Sequence, residues 1–255
     1  MIKKDLSMIC LVFFITRAFF SLYNFNNLPS LLITIGLILL MIFTIKHTNT
    51  EIYKNKVSIF LYLITIIFIF LIILAKSTEF INNNYFIHNN DIVIALSLIL
   101  LAYIISNDSI KTIGSISEIL IFIFILITSI TYIGLISIIK TTNYSNYLTI
   151  NNISMNMFPY LLIFVLFYIK NKNITSGYIL GSISFLIDNI LFIGSLGTKL
   201  IKTYKIPSVA ILKSLNFFNF INHLDKFFSI IYLFEYTITL SFIIFIIKDI
   251  IKNNF

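Results

Sequence analysis

Two stretches of the chain, VSIFLYLITIIFIFLIILA from Val57 and ILIFIFILITSITYIGLISII from Ile119, each continue for about 20 residues without an interior charge. As an α-helix, such a run rises about 30 Å, the thickness of the hydrocarbon layer of a membrane. The composition extends the argument to the rest of the chain. With 59% hydrophobic and 11% charged residues over 255 positions, and a mean hydropathy of +1.01, there is more apolar surface than a water-soluble fold of this size can hide. The apolar runs are continuous rather than alternating with polar residues, which points to helices and not to a β-barrel. The expected class is an all-α, polytopic integral membrane protein.

About eight segments are candidate spans: 7–25, 29–46, 57–77, 91–107, 113–139, 154–169, 177–198 and 226–248. The second, fourth and sixth are the weakest. Pro159 stands near the start of the sixth, where it is expected to break the helix or leave only half of one, with Tyr160 beside it. A cytoplasmic N-terminus puts Lys3, Lys4, Lys46, Lys54, Lys56, Lys111, Lys170, Lys172, Lys248 and Lys252 on the inside. The connection from about 199 to 226 then lies outside with five lysines, as a long translocated segment is able to. Its sequence reads as an amphipathic or re-entrant piece on the membrane surface. Lys3 and Lys4 ahead of an apolar run resemble the start of a signal peptide. No small-residue cleavage site follows, so the first run is expected to be retained. No soluble domain can be separated from 1–255.

The 18 Lys+Arg against 10 Asp+Glu give a formal net charge of +8. In a membrane protein this matches loops facing anionic lipid, and no nucleic-acid partner is expected. A single cysteine, Cys10, excludes an intrachain disulfide, and three scattered histidines offer no zinc site. Neither a metal nor a cofactor is expected.

Ionisable side chains within hydrocarbon cost a few kcal/mol or more, so each one is a functional candidate. Arg17 lies in the first span, on one helical face with Cys10, Ser21 and Asn24. Glu118 opens the fifth, with Ser115, Ser129 and Tyr132 on its side. Asp188 is midway along the seventh, in line with Gly177, Gly181 and Ser184. Glu235 is central in the eighth, flanked by Tyr232 and Thr239. If these faces turn inward, a carboxylate there can take a cationic group or a coupling proton, and Arg17 an anionic one. The plainer alternative is a static interior ion pair, or an arginine that snorkels to the interface. Gly177-x-x-x-Gly181 permits close helix packing. Enzymatic signatures are missing: there is no H-E-x-x-H, no G-x-S-x-G and no glycine-rich phosphate loop. His88 and His223 are isolated, while Glu51, Glu79 and Asp91 lie in or beside loops. The chain is not expected to be an enzyme.

Several longer segments resemble a known family. YIKNKNITSGYILGSISFLIDNILFIGSLG and IPSVAILKSLNFFNFINHLDKFFSIIYLFEYTITLSFII are similar to the seventh and eighth helices, with the intervening proline-containing stretch, of the permease-like membrane subunit of spore germinant receptors. Pro207, Lys213, Leu224 and Asp225 keep that family's residue types, while His223 replaces an arginine. FLYLITIIFIFLIILAKSTEFI, with Glu79, and LLAYIISNDSIKTIGSISEILIFIFILI, with Glu118, are similar to its third, fourth and fifth helices. The family is related to amino-acid permeases, so the resemblance implies two inverted repeats, here about 7–139 and an incomplete 154–248 that lacks the last two helices. It also implies a bound small nutrient such as an amino acid, a larger signalling subunit and a lipoprotein subunit as partners, and the spore inner membrane as the location. FFITRAFFSL departs from the small, glycine-bearing first helix usual there, and Tyr160 takes the place of an acidic residue. Arg17, Asp188 and Glu235 are the candidate ligand-binding residues, with Glu118 secondary. A proton-coupled secondary transporter and a degenerate structural subunit are the competing readings.

Overall fold

The protein is described by a computed structural model that covers residues 2–22, 27–47, 56–85, 90–107, 109–149, 157–169, 174–197 and 224–254. Among the described residues, eight α-helices follow in order: α1 (Ile2–Ser21), α2 (Leu28–His47), α3 (Lys56–Tyr85), α4 (Asp91–Ile105), α5 (Ile110–Ile136), α6 (Leu162–Phe167), α7 (Ile174–Leu196) and α8 (Leu224–Asn254). The 3-10 turns Thr141–Tyr144 and Phe158–Leu161 precede α6. No strand occurs among the described residues. Four helices, α3, α5, α7 and α8, are long and apolar enough to cross a bilayer, and the other four are shorter apolar helices. The protein is therefore all-helical and membrane-embedded.

Local chemistry sets several helix limits. Asn27 accepts from the backbone N–H of Ser30 at 2.9 Å, and Asn90 from that of Ile92 at 3.1 Å, so each supplies an acceptor to a first turn whose N–H groups have no helical partner. At the other end of α7, Gly197 takes a positive φ of 81° and returns its N–H to Ile193 O at 2.7 Å, a stop that favours glycine. Pro159 is buried in the 3-10 turn that begins α6. In a first turn its missing N–H costs nothing, and the turn continues into α6 to make a short apolar helical segment, Phe158–Phe167. Residues 154–156 of the expected sixth span, the connection 198–223, and Asn24, Glu51 and His88 lie outside the described residues. So do Pro207, Lys213 and His223 of the family-like stretch.

The core is organised around α1. Every residue from Cys10 to Phe20 is buried, as expected of a helix that is apolar nearly all round and enclosed on all sides. It packs against α5, α6, α7 and α8. The second central element, α8, packs against α1, α3, α4 and α5. On the periphery α3, α4 and α5 present Phe60, Phe68, Leu96, Leu100, Phe122 and Leu126 outward, the surface a lipid environment requires.

The α7–α1 contact depends on two glycines one turn apart. A Cβ at Gly177 would stand 2.7 Å from Ile9 O, and one at Gly181 2.9 Å from Phe13 O. Bare backbone thus lets the two helices approach closely, as the Gly177-x-x-x-Gly181 spacing predicts. Most polar residues of the apolar helices are satisfied locally. The hydroxyls of Ser117, Thr128, Thr131, Thr239 and Ser241 each donate to the carbonyl four residues earlier, a bond that needs no partner helix.

The helix ends gather into two rims. At one, the segment after α5 folds over the end of α7: Lys140 N–H and Asn143 Nδ2 donate to Gly194 O at 3.0 and 2.7 Å, and Tyr144 Oη to Ile190 O at 3.1 Å. Tyr147 Oη reaches Asn189 Oδ1 at 3.1 Å, and its carbonyl accepts from Leu28 N–H at 2.9 Å. Burial pushes the phenols of both Tyr144 and Tyr147 above their ordinary titration range, so they act as neutral donors. At the other rim, Lys248 Nζ of α8 donates to Ser106 Oγ at 2.9 Å and Asn107 Oδ1 at 2.7 Å and lies 3.5 Å from the centre of the Tyr103 ring. There Tyr168 also donates to Asp249.

Candidate functional site

Arg17 is placed at the middle of the core by a helix that is itself the middle of the core. It is 1% exposed, Asp188 1% and Glu235 0%, which removes water as the solvent for all three charges. Each guanidinium nitrogen faces a different partner. Nε donates to Glu235 Oε1 at 2.5 Å, Nη1 to Ser184 Oγ at 2.8 Å, and Nη2 lies 2.7 Å from Asp188 Oδ2. Asp188 Oδ1 accepts from Tyr132 Oη at 2.5 Å. The planar fork of arginine makes this three-way arrangement possible, since its donors point in fixed, divergent directions.

The acids reach Arg17 because of helix periodicity. On α7, Gly177, Gly181, Ser184 and Asp188 follow one another on one face. The two glycines bring that face against α1, and Ser184 and Asp188 then meet the Arg17 head. Glu235 approaches from α8, where Tyr236 Oη lies 3.2 Å from Ser21 Oγ of α1. Tyr232 and Tyr236 pack on Phe80 of α3, with ring centres 5.4 and 6.1 Å away. Two aromatic rings complete the enclosure: the guanidinium carbon is 4.6 Å from the centre of Phe124 and 5.9 Å from that of Phe13. Such rings offer a buried cation a polarisable, electron-rich face.

Two properties of the network matter chemically. It contains one cation and two carboxyl groups, and two carboxyl oxygens, Glu235 Oε2 and Asp188 Oδ2, have no hydrogen-bond partner among the described residues. Asp188 Oδ2 makes its ion pair without hydrogen-bond alignment. Nearby, Thr16 Oγ1 and Ser182 Oγ are buried without a partner among the described residues, as is Tyr160 Oη beside α6. No group of three or more His, Cys, Asp or Glu residues arranged to hold a metal occurs among the described residues.

No family model, curated protein or solved structure matches the chain.

Of the residues singled out in the sequence, Arg17, Asp188 and Glu235 come together, with Ser184, Ser21 and Thr239 close by. Glu118 takes no part in the network; it is half-buried on α5, and Ser115 and Ser129 are exposed. Tyr132, expected on the side of Glu118, serves Asp188 instead. Cys10 is buried on α1, seven residues before Arg17. Pro159 and Tyr160 stand at the start of α6, away from the ion network. Phe13 and Phe124 escaped sequence reading, because nothing marks these two among 27 phenylalanines.

Proposed function

We propose that the chain is the membrane-embedded, solute-sensing subunit of a spore germinant receptor, with a shortened amino-acid-permease-like fold of about eight spans and a cytoplasmic N-terminus. The reading joins the sequence resemblance to one observation: Arg17, Asp188 and Glu235, from three helices distant in sequence, meet in the core. A ligand group that competes for a member of the buried ion network would change the energy with which it joins α1, α7 and α8, which is what a sensor needs. A small nutrient that binds one arrangement better shifts the population toward it. The meeting of the α5 and α7 ends at one rim, and of the α4, α6 and α8 ends at the other, supports successive passes in alternating directions. The partners under this reading are a larger signalling subunit and a lipoprotein subunit in the spore inner membrane.

Because all three Arg17 nitrogens already face acceptors of the chain, an anionic group of a ligand would have to displace one of them. Glu235 Oε2, which has no hydrogen-bond partner among the described residues, instead favours a cationic group or proton, and this supports proton-coupled solute transport as the second reading.

Thermal unfolding of the purified protein in lipid nanodiscs, with amino acids and comparable small nutrients added singly, tests sensing. Stabilisation by at least one compound is expected, and stabilisation by none overturns it. Uptake into proteoliposomes separates the readings: accumulation abolished by Asp188→Asn favours transport, whereas binding without uptake favours sensing.

A further inference from the structure

We propose that Glu235 Oε2 is a single-proton site and that the ion network is closed while that proton is in place. The inference rests on the reading above that the network lies within the membrane, and it concerns the regulation of that same site.

The charge count comes first. Arg17 contributes one positive charge, and Asp188 and Glu235 contribute two acids. Uncompensated charge in an apolar, water-free interior is far more costly than a neutral hydrogen-bonding group. The balanced state therefore has one guanidinium, one carboxylate and one neutral carboxylic acid.

Geometry then selects the acid. Asp188 Oδ1 accepts from Tyr132 Oη, and Oδ2, although it has no hydrogen-bond partner among the described residues, lies 2.7 Å from the charged Arg17 Nη2. Glu235 uses only Oε1, which accepts from Arg17 Nε, and its buried Oε2 has no partner among the described residues. A proton on Oε2 leaves Oε1 as the carbonyl oxygen that accepts from Arg17 Nε. A metal cation does not substitute: hard ions take about six oxygen ligands, whereas here a guanidinium stands 2.5 Å from the same carboxyl group.

The other titratable groups around Glu235 leave this balance intact. Arg17 faces it from α1, and Asp188 approaches from α7 with Tyr132 of α5 behind it. Tyr232 and Tyr236 flank it on α8 and pack on Phe80 of α3. Glu79 of α3 pairs with Lys76 at 3.0 Å on an exposed surface. On α4, Asp91 accepts from Asn82 and Tyr103 lies under Lys248.

Release breaks the O–H bond at Oε2. The electron pair stays on the carboxylate and the proton leaves to water. One net negative charge then remains where α1, α7 and α8 meet, and this favours an arrangement that gives Glu235 access to water or to a cationic solute. Proton occupancy and helix arrangement are thereby coupled.

Infrared spectroscopy of the protein in nanodiscs at neutral pH tests the proposal. The wild type is expected to show a protonated-carboxyl C=O band that shifts on 13C-glutamate labelling and not on 13C-aspartate labelling. Glu235→Gln should remove the band. Asp188→Asn should remove it as well, because each substitution equalises acid and base. Absence of the band in the wild type, a shift with labelled aspartate, or survival of the band in either variant overturns the proposal. So does stabilisation by sodium over potassium in place of the band. A band that behaves as expected, with no solute stabilising the protein, supports the proton site and counts against sensing alone.

Discussion

At the scale of single residues, the ion network sets what the core tolerates. Arg17→Met leaves two buried acids without their cation, and a loss of about 3–5 kcal/mol is expected in denaturant unfolding in micelles. Arg17→Lys should recover little of it, because an ammonium on a flexible stem cannot face Glu235, Asp188 and Ser184 along three fixed directions. Glu235→Gln preserves shape and leaves Arg17 and Asp188 balanced, so its cost should be well below that of Arg17→Met in the same assay. Thr16 presents the opposite case. Its hydroxyl is buried with no partner among the described residues, and Thr16→Val keeps the branched shape without that group. A gain of about 1 kcal/mol is expected, and a loss would contradict an unpaired hydroxyl at this position.

At the scale of helices, glycine has a different meaning in each element. On α7, Gly177→Ala and Gly181→Ala drive a methyl group into the backbone of α1. Each should destabilise by about 1–3 kcal/mol through separation of the two helices. Gly36 of α2 has nothing within 4 Å of an added Cβ. Gly36→Ala should therefore stabilise, by up to about 1 kcal/mol, through the higher helix propensity of alanine. The same unfolding series checks all three, and equal effects at Gly36 and Gly181 would contradict the α1–α7 packing. Because separation of α7 also pulls Asp188 from Arg17, combining Gly181→Ala with Asp188→Asn should cost less than the sum of the single changes.

For the whole molecule, the two rims carry the topology. Ser145 lies on the segment over the end of α7, and Lys252 near the end of α8; both are exposed. With Cys10 replaced, cysteines introduced at 145 and 252 should react with a membrane-impermeant thiol reagent from opposite sides of oriented vesicles. Reaction from the same side would refute the alternating arrangement. Hydrogen exchange should also be slowest in α1 and α8, the two central helices, and faster in the peripheral α4.

The membrane class, the approximate helix positions and the identity of the interior charges were legible in the sequence. Each depends on local properties: run length, charge spacing and the cost of placing an ionisable group in hydrocarbon. Even the glycine contact on α7 could be read from a four-residue spacing. What pairs with what required tertiary structure. Arg17 and Glu235 are 218 positions apart, and no local rule says which of several interior acids an arginine will meet. Tyr132 served Asp188 rather than the acid on its own helix, and two phenylalanines among many came to enclose the cation, because neighbours in the core are set by how whole helices pack. The surplus of one acid over base exists only once three helices are brought together.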